Sequence, residues 1–397
     1  MRVVIFHQHD PGTSHVGGIP TFLNTFIKYS PPDFTVDLVG LTTEPEKRPV
    51  GQWMEFPVGY RRYRFLPVIS AQPNLRGKLP ITFRLVGGIR RHWRLLDLRN
   101  AILEIHRIEP ALALLGSNNP KALFLHNHSK DYRNEKTEAI WGKLPAAYQA
   151  LEWSLIRGMG RIFIVREDAA SDYRVQYPDI SNRVSFLPTW VDEEVFISLP
   201  EEQRKRHRAE FAARHGFDAA GKLLLFVGRF EGQKDPMRLL ESFRLLLGTV
   251  KEATLVMVGE GKMEPQIRQF IEQNGLQKRV LMVGPRPQPE VALWMNAADS
   301  LVLSSAYEGM PRVVVEGLHC GLPAVSTDAG EARRLIGDNA GGRLVTEPGP
   351  EPFARAVADL LANPPSRQSC EGQSAPFTAR LILEQVYKAY RLMKKRN

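Results

Sequence analysis

At 397 residues the chain has room for two domains of ordinary size, which excludes a peptide or a lone binding module. Hydrophobic residues make up 43% and charged residues 24%, close to the globular average, so 29 prolines and 31 glycines do not signal wholesale disorder. The formal charge of +10 is unevenly spread: from Arg61 to Arg107 eleven Arg or Lys stand against two acids, Asp97 and Glu104, an excess of nine. Such a patch suits nucleic acid, anionic lipid or a phosphorylated substrate, or is a solvated face. No stretch approaches the ~18 apolar residues of a spanning helix, and Val3 to Phe6 is too brief a run for a signal peptide. Cys320 and Cys370 form no Cys-x-x-Cys spacing. The expected location is the cytoplasm.

In chain order, Val3 to Phe6 reads as a strand. A loop ending Gly17-Gly18 leads to Ile19, Phe22, Leu23, Phe26 and Ile27, spaced as one helical face, and Val36 to Val39 is the next strand. This strand, helix, strand unit opens a parallel sheet. Residues 45–82, rich in Pro and Arg, resist assignment. A helix carrying the basic patch is expected from Ile89 to Ile108, then strands at Ala122 to Leu125, Ile162 to Val165 and Val184 to Leu187. The charged stretch Pro200 to Arg214 reads as the join between halves. Beyond it strands begin at Leu223, Thr254, Val280, Leu301 and Ala324, alternating with helices at Met237, Met263, Glu290 and Arg312. The expected fold is α/β: two doubly wound, Rossmann-like parallel sheets facing a cleft, with domains at 1–195 and 196–375. The segment Phe377 to Met393 is amphipathic and needs a surface to cover.

In an open parallel sheet, ligands gather beyond the carboxyl ends of the strands. After Leu223 to Val227 the loop GRFEGQKDP carries Arg229 and Lys234 ahead of a helix, which suits a diphosphate. After Leu301 to Leu303, Glu308 lies in a loop, Pro311 starts a helix and Glu316 follows within it. Carboxylates accept hydrogen bonds from sugar hydroxyls, and the amides of Gly309 and Met310 allow a ligand close approach. Alone, the Arg229–Lys234 pair is equally well read as exposed cations, and either glutamate is better read as a helix cap or a solvated side chain.

The order GRFEGQKDP, VGEGKMEPQI, EGMPRVVVEGLHCGLPAVSTDAG resembles the retaining glycosyltransferases of family 4, which have the two-domain GT-B fold. The resemblance is strong over residues 220–345 and weaker over 1–200. It implies that Arg229 and Lys234 hold the donor diphosphate, Glu316 the ribose and Glu308 the sugar, with the Gly309 and Met310 amides helping. It also implies that Gly17 and Gly18 face the donor phosphate, that His126 in the run His126-Asn127-His128 lies near the reacting centre, and that a helix over 376–397 returns to the first domain. The implied activity is metal-independent transfer of a hexose, with retention, from a UDP- or GDP-sugar to a glycan or lipid-linked acceptor. Two departures stand out: Pro188-Thr189-Trp190-Val191-Asp192 where the family often has Pro-Asn-Gly-x-Asp, and Ala329-Gly330 where many members have Gly-Gly.

No Asp-x-Asp-type metal site is present. Rival readings are a GT-B epimerase or glycosyl phosphate synthase, and an idle nucleotide-sugar-binding subunit. A nucleic-acid binder, suggested by the charge, is disfavoured by the ordered donor motifs. Arg90, Arg91, Trp93 and Arg94 on the expected basic helix predict contact with an anionic membrane surface at the cytoplasmic face, or a helix packed on the first sheet with its charges solvated.

Overall fold

A computed structural model describes residues 1–12, 18–71, 80–126 and 145–395. The chain forms two compact units, Met1–Pro188 with Arg380–Asn397, and Thr189–Ala379.

The first unit holds strands β1 (Arg2–Phe6), β2 (Thr35–Thr42), β3 (Met54–Val58), β4 (Arg61–Ser70), β5 (Ala101–Ile105), β6 (Lys121–Leu125), β7 (Arg161–Ile164) and β8 (Val184–Phe186). Its helices are α1 (Gly18–Lys28), α2 (Ile81–Arg91), α3 (Pro145–Ile156) and α4 (Glu167–Gln176). The sheet order is β3-β4-β2-β1-β5-β6-β7-β8, parallel except for the β3–β4 pair at the edge. Val3 to Phe6 is apolar throughout because β1 lies between β2 and β5 with both faces covered.

One expectation fails here, and one unassigned stretch resolves. Ile89 to Ile108 is not one helix: α2 ends at Arg91, a 3-10 turn covers Trp93–Leu95, and Ala101–Ile105 is the central strand β5. An apolar run buried on both faces reads alike as strand or helix, which is why periodicity misplaced it. The unassigned residues 45–82 contain the β3–β4 hairpin.

The second unit holds β9 (Leu223–Val227), β10 (Thr254–Val258), β11 (Val280–Gly284), β12 (Ser300–Leu303), β13 (Ala324–Thr327) and β14 (Gly342–Val345). Its helices are α5 (Glu201–His215), α6 (Pro236–Leu246), α7 (Glu264–Gln273), α8 (Gln288–Ala297), α9 (Arg312–His319), α10 (Ala332–Ile336), α11 (Pro350–Ala362) and α12 (Arg367–Ser374). The order β11-β10-β9-β12-β13-β14 is the doubly wound order 3-2-1-4-5-6, with its switch point between β9 and β12. Alternate residues of β9 split between two cores: Leu223 and Leu225 join Trp294 and Val314 on one face, Leu224 and Phe226 join Leu240, Phe243 and Phe353 on the other.

The charged stretch read as a join is α5. It is polar nearly all round, burying only Phe211 and Ala212, and Phe211 stacks on Trp294 with centroids 3.8 Å apart. A helix that commits one short stripe shows little periodicity. The C-terminal helix α13 (Ala379–Lys395) packs on the first unit: Tyr387 lies 5.1 Å from the Phe26 ring and donates to the Phe26 carbonyl at 2.6 Å.

Candidate active site

At the switch point of the second unit, the loops after β9 and β12 are stapled together. The Ala306 amide donates to the Gln233 carbonyl at 2.8 Å, Gln233 Nε2 donates to the Tyr307 carbonyl at 3.3 Å, and Ser304 Oγ lies 2.9 Å from the carbonyls of Lys234 and Asp235. Phe230, fully buried, pins the first loop, and its amide donates to the Glu260 carbonyl of the GEGK loop at 2.8 Å. Asp235 caps α6 by accepting from the Arg238 amide at 3.2 Å.

This framework brings together four of the expected residues. Lys234 Nζ lies 2.5 Å from Glu308 Oε1, and Ser305 Oγ donates to the same oxygen at 2.6 Å. Both charged side chains are largely buried, 15% and 8% exposed. Arg229 stands more in solvent, paired with Glu231 at 2.8 Å and donating to Gln233 Oε1 at 3.2 Å. Glu316, buried on α9, accepts from Arg312 Nε at 2.9 Å. Burial pushes the Glu316 carboxyl up from its ordinary range, against the pull of Arg312 and Lys234, while Asp192 adds to the rise.

Gly309 and Met310 follow Glu308 and are buried. Met310 Sδ accepts from the Thr189 amide at 3.2 Å. Gly330 backs this loop with φ +59°, and a Cβ there would stand 2.1 Å from the Gly309 carbonyl oxygen. Ala329 keeps out of the left-handed region, so its departure from Gly-Gly leaves the backbone undisturbed. In Pro188-Thr189-Trp190-Val191-Asp192 the bulk of Trp190 is fully buried, and Val191 pairs with Thr378.

The first unit has its own switch point, between β1 and β5, and His126 at the end of β6 belongs to a cluster there. His126 Nε2 lies 2.9 Å from His106 Nδ1, and His106 Nε2 lies 2.9 Å from Glu104 Oε1. The hydroxyl of Tyr390, from α13, donates to Glu104 Oε2. Burial drives the Glu104 carboxyl up to about 8 and the His106 imidazole down to about 3. At the end of β1, both ring nitrogens of buried His7 and the Nε2 of His9 find no hydrogen-bond partner among the described residues. Burial lowers the pKa of both, that of His9 to about 4. Asp10 accepts from the Thr43 and Gly12 amides and from Arg48, which hold its carboxyl low despite burial. These bonds anchor the chain entering the glycine loop. Gly18 opens α1; Gly17, Asn127 and His128 lie outside the described residues. His7, His106, Glu104 and Ser305 were missed from sequence because isolated residues at strand ends carry no spacing signal.

The basic patch is largely engaged. Arg90 Nη2 donates to the carbonyls of Leu112 and Leu115 at 3.1 Å and lies over Trp93 at 5.7 Å. Trp93 and Leu96 pack on the core of the first unit, and Ile89 is fully buried. Arg64 pairs with Asp37, Arg84 caps the Ser70 carbonyl, and Arg107 pairs with Glu109. Arg91 and Arg94 are exposed but sit on different elements, so no continuous basic face joins Arg90, Arg91, Trp93 and Arg94 on one helix. No described helix is long and apolar enough to cross a membrane. Among the described residues no three His, Cys, Asp or Glu side chains converge to hold a metal ion.

The family described as glycosyl transferases group 1 matches residues 207–375. A D-inositol 3-phosphate glycosyltransferase of Frankia alni is 30% identical over 253 residues, 60% of each chain. An alpha-D-kanosaminyltransferase of Streptomyces kanamyceticus is 25% identical over 65% of this chain and 66% of its own. The chain spans about half to two thirds of the length of the curated relatives it matches. Among solved structures, sucrose-phosphate synthase from Thermosynechococcus elongatus superposes over 100% of both chains with TM-score 0.79 at 16% identity. HepE of Anabaena, solved in complex with UDP-glucose, covers 99% of this chain and 100% of its own with TM-score 0.72, also at 16% identity. Identities this low speak for the fold alone, and the fold they share is GT-B. Over residues 207–375 the chain is thus similar to the glycosyl transferases group 1.

Proposed function

We propose that the protein is a retaining, metal-independent glycosyltransferase that moves a hexose from a UDP- or GDP-sugar to a glycan or lipid-linked acceptor. The observation that carries this reading is the Lys234–Glu308 contact at the switch point, a fixed cation and a fixed carboxylate 2.5 Å apart with Arg229 on the same loop as Lys234. Lys234 and Arg229 neutralise the charge that builds on the departing diphosphate, a role otherwise given to a metal ion. Glu308 accepts from hydroxyls of the transferred sugar, and Glu316 from those of the ribose. The acceptor oxygen bonds to the anomeric carbon on the face from which the diphosphate oxygen leaves, and the acceptor proton passes to that departing oxygen. HepE, of the same fold, was solved with UDP-glucose, which supports a nucleotide-sugar donor.

The test is a panel of UDP-sugars and GDP-mannose incubated with the protein in excess EDTA, following slow hydrolysis of the donor. Release of UDP or GDP in EDTA is the expected result. No release from any donor overturns the reading, and release restored only by magnesium or manganese overturns its metal independence.

A further inference from the structure

The chain of contacts behind His126 has an order that its hydrogen bonds dictate. Among the described residues, Glu104 meets two partners: the Tyr390 hydroxyl on Oε2 and His106 Nε2 on Oε1. Both Glu104 and His106 are wholly buried. The groups around them are His7 from β1, His9 beyond it, Arg107 after β5, His126 from β6, and Tyr387 and Tyr390 from α13, with Arg61 acting on Tyr387. No described Lys or Arg touches the carboxyl, and a buried carboxylate without a cation is costly. The neutral acid is therefore the stable form at pH 7, and the contact with His106 is a neutral hydrogen bond rather than an ion pair.

With Tyr390 donating to Oε2, the acid proton sits on Oε1 and donates to His106 Nε2. The single proton of neutral His106 is then on Nδ1 and donates to His126 Nε2. That leaves the ring proton of neutral His126 on Nδ1. We propose that Glu104, His106 and Tyr390 are positioning residues whose hydrogen-bonded chain sets the tautomer of His126, making its Nδ1 a hydrogen-bond donor at neutral pH rather than a base. The role in turnover rests on the proposed placement of His126 near the transferred sugar; the tautomer does not. A donor at that position suits a front-face reaction in which the leaving diphosphate takes the acceptor proton. When Glu104 ionises the chain inverts: its proton passes to His106 Nε2, the His106 Nδ1 proton to His126 Nε2, and the His126 Nδ1 proton is released from the chain.

The test uses the full chain with its ten histidines labelled with nitrogen-15. Long-range proton–nitrogen NMR distinguishes protonated from bare ring nitrogens, and the His126 signals are identified by their loss in His126→Gln. At pH 7 His126 should show a bare Nε2 and a protonated Nδ1, and the pattern should invert as the pH rises through about 8. In Glu104→Gln the amide donates to His106 at every pH while its carbonyl accepts from Tyr390, so the pattern should hold without inversion. A protonated Nε2 at pH 7, or an inversion that survives in Glu104→Gln, overturns the proposal; the wild-type titration decides alone if the variant fails to fold. Hydrolysis of UDP-glucose should lose rate above about pH 8 in the wild type and keep no such limb in Glu104→Gln. The expected tautomer together with wild-type turnover by His126→Gln would uphold the relay and overturn the placement of His126 near the sugar.

Discussion

Glu308→Gln separates the two tasks assigned to the Lys234–Glu308 contact. The substitution keeps the side chain's shape and its acceptance from Ser305 while removing the charge that lies 2.5 Å from Lys234. A diphosphate held by Lys234 then meets a full cation instead of one half-neutralised by its partner. A carboxylate roughly 5 Å from a phosphate repels it by about 3 kcal/mol at an effective dielectric constant near 20. Discounting for the partial exposure of the pair leaves about 1–2 kcal/mol. UDP should bind about five- to thirtyfold more tightly to Glu308→Gln, and the gain should shrink with added salt. Turnover should move the other way, because a charged acceptor on a sugar hydroxyl becomes a neutral one, about 1.5–3 kcal/mol or roughly ten- to a hundredfold. Titration calorimetry with UDP in EDTA, beside donor hydrolysis rates, reads both. UDP binding that is unchanged or weaker would show that Glu308 does not offset the cation that holds the diphosphate.

Arg229→Ala and Lys234→Ala should each weaken donor use roughly ten- to a hundredfold, but only Lys234→Ala should also lower Tm, since it leaves the buried Glu308 without its cation; equal Tm values contradict the assignment. Gly330→Ala must move the Gly309 carbonyl out of a 2.1 Å approach from a left-handed residue, so a loss of about 1–3 kcal/mol in denaturant unfolding is expected, with reduced donor binding; wild-type behaviour in both would mean the loop yields freely. Glu316→Ala should raise the donor KM more than it lowers kcat, because ribose contacts persist unchanged from ground to transition state; the reverse pattern would give Glu316 a different role. In liposome flotation with anionic vesicles, Arg91→Glu with Arg94→Glu should abolish any salt-sensitive binding of the wild type, and a wild type that stays soluble at low salt points to a soluble acceptor.

The sequence by itself carried the second unit well. Its strands are separated by helices of regular length, its apolar runs are short and bounded, and Arg229, Lys234, Glu308 and Glu316 sit at spacings that place them after strands β9 and β12. That legibility has a local cause: a strand, a loop and a helix N-terminus are set by neighbours in the chain, so a motif there keeps its meaning. The first unit was less readable for the opposite reason. Ala101–Ile105 is a strand because β1 and β6 flank it, and the same apolar residues alone suit a helix. The basic excess from Arg61 to Arg107 suited a binding face or a solvated one by composition, and only the fold supplies Asp37, Glu109 and the Leu112 and Leu115 carbonyls as partners. His7, Glu104, His106, His126 and Tyr390 come from three strands or their ends, β1, β5 and β6, and a helix as far as 286 residues away in sequence. Only the tertiary structure decides which titratable groups share a buried space, because burial and hydrogen-bond order, which set where their protons lie, are properties of packing rather than of any segment.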